Sequence, residues 1–500
     1  MTSHKRDFDK TSAGKLYLAV GREDIHLITE ILEKEVDVDI NAMTHFGETS
    51  LYLAAKKGNV EMCQMLVNKG ADVNIVKDNS GTPLHIAARK GRKEVVEFLL
   101  ENGAKTNAID TFRHTPLHFA AMGGSSDIVK IILKFNDKIK SRHVVDVYIN
   151  AVTNDGLTAL YFAAKKGNVE MCQILVNKGA DVNMGHRRFG TPLHIAARKG
   201  REEIVKLLLE NGGKINALDI ETHRPLHSAA IGGSSDIVKI ILKFGSKINS
   251  RDENGRTALF YASDYGNVEV VKILLEFGSD INIPNYDKRT PLNDAMKCLE
   301  FYNEHINDSD LLSGCESDSD SSEYISLGPE TRIRRYLSVI EILKLHVIKL
   351  KAANLFVSKR NSFLVNRNSE EKDFQDECEI EVASMKCEKI SDSNISFYDV
   401  LEKNTNSLAN FMRNGNLVQV FESEDYKSQF PIYSSMIERN FKRGMLKKDL
   451  IEKRNKVFSL LCGKFSQLPE YCKEQIFSYL SDKELKIFVK AYQVLDISNV

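Results

Sequence analysis

Several things this chain lacks narrow its function before any motif is read. It has no net charge, since 69 basic side chains face 69 acidic ones, and it has no tryptophan. A neutral chain has no bulk attraction for nucleic acid or for an anionic membrane, so neither is expected as a partner. No apolar run approaches the roughly 18–20 residues a membrane-spanning helix needs. The segment Met1 to Lys15 is polar and charged, unlike a secretory leader. Eight cysteines are present, but pairs such as Cys378 and Cys387, or Cys462 and Cys472, lack metal-finger spacing. Cys63 and Cys172 fall at the same place in two similar segments, which suits buried thiols. Reduced cysteines fit the cytoplasm or nucleus. There is no phosphate-cradling glycine loop, no His-Glu-x-x-His and no nucleophile elbow. The chain is therefore expected to be no enzyme, with no catalytic residue, no metal and no cofactor.

What is present is repetition. A phrase of the form Thr82-Pro83-Leu84-His85 recurs with starts at Thr49, Thr82, Thr115, Thr158, Thr191, Arg224, Thr257 and Thr290. The starts lie 33 residues apart, except for one step of 43. A fixed period of this length predicts a solenoid of stacked helix pairs, in which each unit touches only its neighbours and the stack offers a long concave surface. Thr82 can cap a helix whose first turn holds Pro83. Leu84, Ile86, Ala87 and Ala88 form a small-residue face, and Gly91 ends the helix. Val95, Val96, Leu99 and Leu100 give a second, amphipathic helix, ended by Gly103.

The Thr-Pro-Leu-His phrase at this period resembles the ankyrin repeat, over roughly residues 15–300. That resemblance implies an all-α solenoid of about nine repeats. It also implies that Asn41, Asn74, Asn107, Asn150, Asn183, Asn216, Asn249 and Asn282 brace the finger loops. These asparagines and the phrase histidines are expected to hold backbone within a repeat rather than ligand. Residues 16–48 read as a less regular capping repeat. The spans 49–142 and 158–251 match at roughly three in four positions, so a block of three repeats has been duplicated. The extra residues between the blocks, His143–Val152, are either a short ribbon extending a finger or a plain spacer. Gly123-Gly-Ser-Ser126 and Gly232-Gly-Ser-Ser235 read as helix-capping turns rather than anion sites.

Beyond the array (1–305) the composition changes. Between Cys298 and Arg332 there is no Lys or Arg, and Glu316-Ser-Asp-Ser-Asp-Ser-Ser-Glu323 is acidic throughout. Residues 306–330 read as an acidic Ser-rich linker, solvated or open to acid-directed kinases. A connector, 331–394, begins with an amphipathic helix expected from Thr331 to Val357. Its apolar side is Ile333, Leu337, Ile340, Leu343, Val347 and Leu350. Its basic side is Arg332, Arg334, Arg335, Lys344, Lys349 and Lys351. Such a helix either packs on the end of the array or meets a membrane or calmodulin-like partner. Further helix is expected only around Phe374–Met385. Residues 395–500 form a smaller helical module.

That module ends in a second signature, at 468–490. Leu468-Pro469 opens a helix carrying Ile476, Phe477 and Leu480, followed by a turn and by Leu485 and Phe488. This order resembles the F-box, which docks substrate receptors on the Skp adaptor of cullin-RING ubiquitin ligases. Cys472 stands where that motif usually has Leu or Ile, and the third helix is short and lacks its usual Trp. The truncated form resembles the PRANC module, found behind ankyrin repeats in poxvirus host-range proteins and in related proteins of parasitoid wasps and intracellular bacteria. Ile395–Leu401 and Phe430–Ile437 resemble other parts of it. A simple helical end cap is the competing reading.

Together these resemblances imply an interaction adaptor. The array would hold a target protein while Leu468, Pro469, Ile476, Phe477, Leu480, Leu485 and Phe488 recruit the Skp–cullin ubiquitin ligase. The alternative is a stoichiometric inhibitor or scaffold acting through the array alone. Target contacts are expected where the duplicated blocks differ. Lys77-Asp78-Asn79-Ser80 has become His186-Arg187-Arg188-Phe189, and Thr111-Phe112-Arg113 has become Ile220-Glu221-Thr222. Phe112, Arg113, His186, Arg187, Arg188 and Phe189 are thus the candidate contacts. Arg89 and Arg198 join them from a basic stripe that also includes Lys56, Lys57, Lys90, Lys165, Lys166 and Lys199. Such residues suit helix C-termini and also an acidic partner.

Overall fold

A computed structural model describes residues 11–34, 38–77, 80–139, 148–186, 188–304, 328–365, 369–391 and 393–461. They divide into two units, 1–270 with 285–287, and 271–284 with 288–500. Among the described residues there is no strand, only isolated bridges.

The first unit is a stack of helix pairs. These are α1 (Ser12–Arg22) and α2 (Ile25–Lys34), α3 (Ser50–Lys57) and α4 (Val60–Asn68), α5 (Pro83–Arg89) and α6 (Lys93–Glu101), and α7 (Pro116–Gly123) and α8 (Ser126–Ile139). The stack continues with α9 (Ala159–Lys166) and α10 (Val169–Asn177), α11 (Pro192–Arg198) and α12 (Glu202–Glu210), and α13 (Pro225–Gly232) and α14 (Ser235–Lys243). Next come α15 (Ala258–Asp264) and α16 (Val268–Glu276), the second unit taking over within α16. The apolar positions read from the sequence are the buried ones: Val95, Val96 and Leu99 of α6 have no exposure and Leu100 has 2%. At about 1.5–3 kcal/mol per side chain, four such residues contribute roughly 6–12 kcal/mol before conformational entropy is counted.

The phrase itself explains how the repeats lock together. His85 Nδ1 accepts the Thr82 N–H at 3.0 Å. The ring proton therefore sits on Nε2, which donates to His114 O at 3.1 Å, in the next finger. The same pair of bonds recurs at His118, His194 and His227. Burial pushes the His85, His118 and His227 imidazoles down to about 4, so they stay neutral. Asn41, Asn74, Asn150 and Asn183 work between repeats rather than within one, which corrects the sequence expectation for them. Asn74 donates to Gly103 O at 3.1 Å and accepts from Lys105 N at 2.8 Å. Asn41, Asn150 and Asn183 make the equivalent bridges. At Gly123 and Gly232 neighbouring first helices come close together. A Cβ at Gly123 would lie 2.4 Å from Arg89 O, and one at Gly232 would lie 2.2 Å from Arg198 O.

Of the extra residues before the second block, 143–147 lie outside the described set. Tyr148 and Ile149 are helical and buried, so the described end of the insertion is not a ribbon.

In the second unit, α17 (Pro291–Glu304) packs along α18 (Pro329–Ala352). Asn282 bridges to Phe356 O at 3.1 Å and Ser358 N at 2.8 Å, the same donor–acceptor pattern that joins the earlier repeats. Thus α17 and α18 form a further helix pair, and the acidic segment lies between its two helices in the chain. The buried side of α18 is Tyr336, Val339, Ile340, Leu343, Val347 and Ile348, whereas Leu337 is 51% exposed. Three residues of the basic side are engaged within the unit. Arg332 is buried beside the Tyr302 ring, and Lys344 pairs with Glu371 at 3.3 Å. Lys349 sits over the Tyr433 ring, its ammonium lowered by burial to about 8. The expected apolar and basic sides are both corrected, because the burying partners come from residues distant in sequence.

Between 358 and 392 helix is more extensive than expected, with α19 (Lys359–Leu364) and α20 (Ser369–Cys387). Beyond them come α21 (Phe397–Glu402), α22 (Thr405–Phe411), α23 (Gly415–Glu422), α24 (Tyr426–Gln429) and α25 (Ser434–Leu461). Phe397, Phe421, Tyr426 and Phe430 form one aromatic core. Ser396 and Asp399 make a capping box at the start of α21, and Asn440 closes its end by donating to Val400 O at 2.9 Å. Glu381 accepts the Ile432 and Tyr433 N–H groups.

Candidate interaction surface

Fingers that precede each phrase are the most exposed apolar part of the first unit. Phe46, Phe112, Phe189, Ile220 and Tyr286 are all at least 39% exposed. Most fingers are closed by an acceptor at their base. Asp110 Oδ1 accepts from Phe112 N at 2.9 Å and His114 N at 2.7 Å. Thr44, Thr153, Asp219 and Asp252 serve in the same way. Two fingers depart from this. At the anchor position they carry Lys77 and His186, and their left-handed residue is Gly81 or Gly190, one place later than Gly47, Arg113 or Gly156. They are equivalent fingers of the two blocks.

In the first block the departure is compensated. Glu48 accepts from Lys77 Nζ at 2.6 Å and from the Tyr17 hydroxyl, and Lys56 lies at 3.7 Å. The Lys77 ammonium also sits 5.0 Å from the Tyr52 ring. Burial opposes the charge of Glu48, yet the bonds from Lys77 and Tyr17 and the charges of Lys77 and Lys56 hold its carboxyl below the ordinary value. In the second block Arg188 lies 5.7 Å from the Phe189 ring, and Phe189 lies 5.7 Å from His186. These three expected residues are therefore brought together; Arg187 lies outside the described residues. Phe112 and Arg113 share another exposed finger, Arg113 taking the left-handed conformation. Arg89 sits 5.7 Å from the Phe119 ring at the end of α5, and Arg198 ends α11. Lys57 of the basic stripe pairs with Glu23 at 3.0 Å.

A feature absent from the sequence reading is the network around His223. Its Nε2 lies 2.8 Å from the Tyr261 hydroxyl, which donates to Asp252 Oδ2 at 2.6 Å, and its Nδ1 lies 3.3 Å from Asp219. Burial works against a charge on His223, but bonds to Asp219 and Asp252, with the charges of Asp219 and Glu221, raise it to about 9. The only signal was an Asp and a Tyr at the places where the preceding block is followed by Thr153 and Phe162.

The stacked pairs and their asparagine bridges agree with the family comparison. Models for ankyrin repeats match residues 16–110, 103–186, 139–219, 185–252 and 226–312. This chain belongs to the ankyrin-repeat family. A PRANC domain model matches residues 392–490, so the second signature belongs to a PRANC domain. Its segment 462–490, including Leu468, Pro469, Ile476, Phe477, Leu480, Leu485 and Phe488, lies outside the described residues. Among solved structures, the human ASB11 ankyrin repeat domain is similar at 27% identity, over 46% of this chain and 97% of its own, with a TM-score of 0.39. No curated protein matches the chain. Ankyrin and PRANC domains are protein-interaction modules. No helix among the described residues is long and apolar enough to cross a membrane.

Proposed function

We propose that this protein is a substrate-recruiting adaptor of the cytoplasm or nucleus. Its ankyrin array holds a target protein, and the F-box-like end of its PRANC domain recruits the Skp adaptor and a cullin ubiquitin ligase. The partners transfer ubiquitin, and the chain contributes binding alone. The observation that carries this reading is the PRANC match behind an ankyrin array in one chain. Within the array, the second block's altered finger supports target binding. Arg188 and Phe189 are exposed together, an Arg–aromatic pairing typical of interface hot spots.

The test is a pull-down of the full chain against a Leu468→Ala/Pro469→Ala/Leu480→Ala variant. Apolar anchors at an interface centre cost about 2–4 kcal/mol each when truncated, so Skp and cullin should vanish from the variant while the target remains. Target without Skp from the wild-type chain would favour the inhibitor or scaffold reading. Skp at equal levels from both chains would remove the docking assignment.

A further inference from the structure

The two blocks superpose in sequence with an offset of 109 residues, so each first-block side chain names its second-block counterpart. Tyr52 corresponds to Tyr161, Lys56 to Lys165, Lys77 to His186 and Asn79 to Arg188. Glu48, just before the first block, corresponds to Leu157. The backbone register confirms this last pair: Glu48 N donates to Thr44 Oγ1 at 3.2 Å, and Leu157 N donates to Thr153 Oγ1 at 3.1 Å.

We propose that the second block carries an open carboxylate site, and that its first-block counterpart is filled by the chain's own Glu48. Glu48 is the internal ligand that reveals the chemistry. Nearly buried, it is held by two lysine ammoniums and a tyrosine hydroxyl beneath the altered finger. At the second site, Leu157 supplies no acceptor. His186 and Arg188 stand in the matching finger there, and their side-chain contacts among the described residues are with each other, with Phe189 and with Gly156. The site is shaped, too. His186 packs over Gly156, where a Cβ would lie 3.0 Å from the imidazole Cδ2. The Arg188 N–H donates to His186 Nδ1 at 3.2 Å, which leaves Nε2 as a ring donor. Arg188 is exposed, so its guanidinium fork can donate to a carboxylate in a bidentate pair, with Phe189 as an apolar wall. The occupant is an Asp or Glu side chain on an acidic segment of the target protein.

The inference rests on the reading of the second-block finger as a target contact. Its test needs neither the natural target nor Skp, so the two can fail separately. The purified full chain is titrated with a fluorescein-labelled glutamate-rich peptide and with its glutamine counterpart, following anisotropy. The wild type should prefer the glutamate peptide. Leu157→Glu places an internal acid in the second site, and Arg188→Ala removes its fork. Each should weaken the glutamate peptide by about tenfold, the scale of one charge-assisted bond, and leave the glutamine peptide unchanged. Glu48→Leu copies the second block into the first and should raise the stoichiometry from one peptide to two. Equal affinity for both peptides, or unaltered stoichiometry in Glu48→Leu, overturns the proposal. Should Leu157→Glu fail to unfold cooperatively, Arg188→Ala decides alone, since that side chain is exposed: binding like the wild type overturns it.

Discussion

The first and second three-repeat blocks are nearly the same object inside and different objects at the finger tips. His85 and His194 reach the next finger's carbonyl at the same 3.1 Å. Asn74 and Asn183 bridge to Gly103 O and Gly212 O at 3.1 and 3.0 Å. Gly123 and Gly232 face Arg89 O and Arg198 O at distances that admit no Cβ. Each of these positions is over-determined by bonds or packing on both sides. The run 77–80 against 186–189 differs at all four residues, and Lys77 is held by Glu48 where His186 instead packs over Gly156. Side chains that hold the stack are kept, and side chains that face outward are where the copies have become distinct.

If the frameworks are energetically equivalent, damage to them should be equivalent as well. His85→Ala and His194→Ala each remove the acceptor for a buried Thr N–H, the donor to the next finger and the volume of a buried ring. Each should lower stability by about 2–4 kcal/mol, the sum expected for lost bonds and a partly collapsed cavity. The two values, read from urea unfolding, should agree within about 0.5 kcal/mol. A large inequality would show that identical local bonding hides different neighbour coupling along the stack.

A sharper contrast lies at the far end of each block. His114 has Asp110 and the Phe162 ring beside it, and Thr153 stands at the sequence place of Asp252; His223 has Asp219, Asp252 and Tyr261. The folded His223 titrates at about 9 against an ordinary 6.5, so its charged form is favoured by folding. That stabilisation is complete below about 6.5 and is lost as pH rises through about 9. For Asp252 the sign is opposite. Despite burial, the bonds from His223 and Tyr261 take it down to about 2, so its contribution is present above 3.8 and lost as pH falls through about 2. Wild-type stability should decline by about 1–3 kcal/mol between pH 6.5 and 9, and His223→Gln should flatten that decline. Thermal unfolding across the window decides it; a wild type insensitive to pH there would remove the ion pair.

Much of this fold was readable in the sequence because its determinants are local. A capping Thr, a first-turn Pro and apolar residues at helical spacing lie within one repeat, and α5 and α6 formed as read. The family signatures of the array and of the PRANC domain were legible for the same reason. Reading failed where the partner came from far away. Arg332 and Lys349 of α18 read as part of a polar, basic side, yet Tyr302 and Tyr433 cover them. The helix expected around Phe374–Met385 is there but runs from Ser369 to Cys387, and its sequence did not show that Cys378, Val382 and Met385 pack against a core supplied largely by residues 390–437. At the candidate surface, the sequence singled out His186, Arg188 and Phe189, which share one exposed finger. It could not show that Lys77 in the matching finger is bound to Glu48, 29 residues away.

That last difference supports the smallest and most discriminating prediction. If the blocks differ in function, the same operation on matching fingers should be read by different instruments. Arg187→Ala/Arg188→Ala/Phe189→Ala should weaken target binding at least tenfold, about 1.4 kcal/mol, without moving the unfolding midpoint. Arg188 is exposed, Phe189 is 39% exposed, and Arg188 has no carboxylate partner among the described residues. Lys77→Ala should do the reverse. It strips a partner from a carboxylate that is 9% exposed and leaves Lys56 at 3.7 Å as the remaining cation. Stability should fall by about 1–2 kcal/mol, because one partner of a nearly buried pair is lost, while target affinity stays unchanged. Binding by calorimetry and unfolding by circular dichroism separate the two axes. A second-block variant that unfolds earlier would mean that Phe189 packs rather than binds. A first-block variant that loses target would mean that both copies of the finger face the same partner.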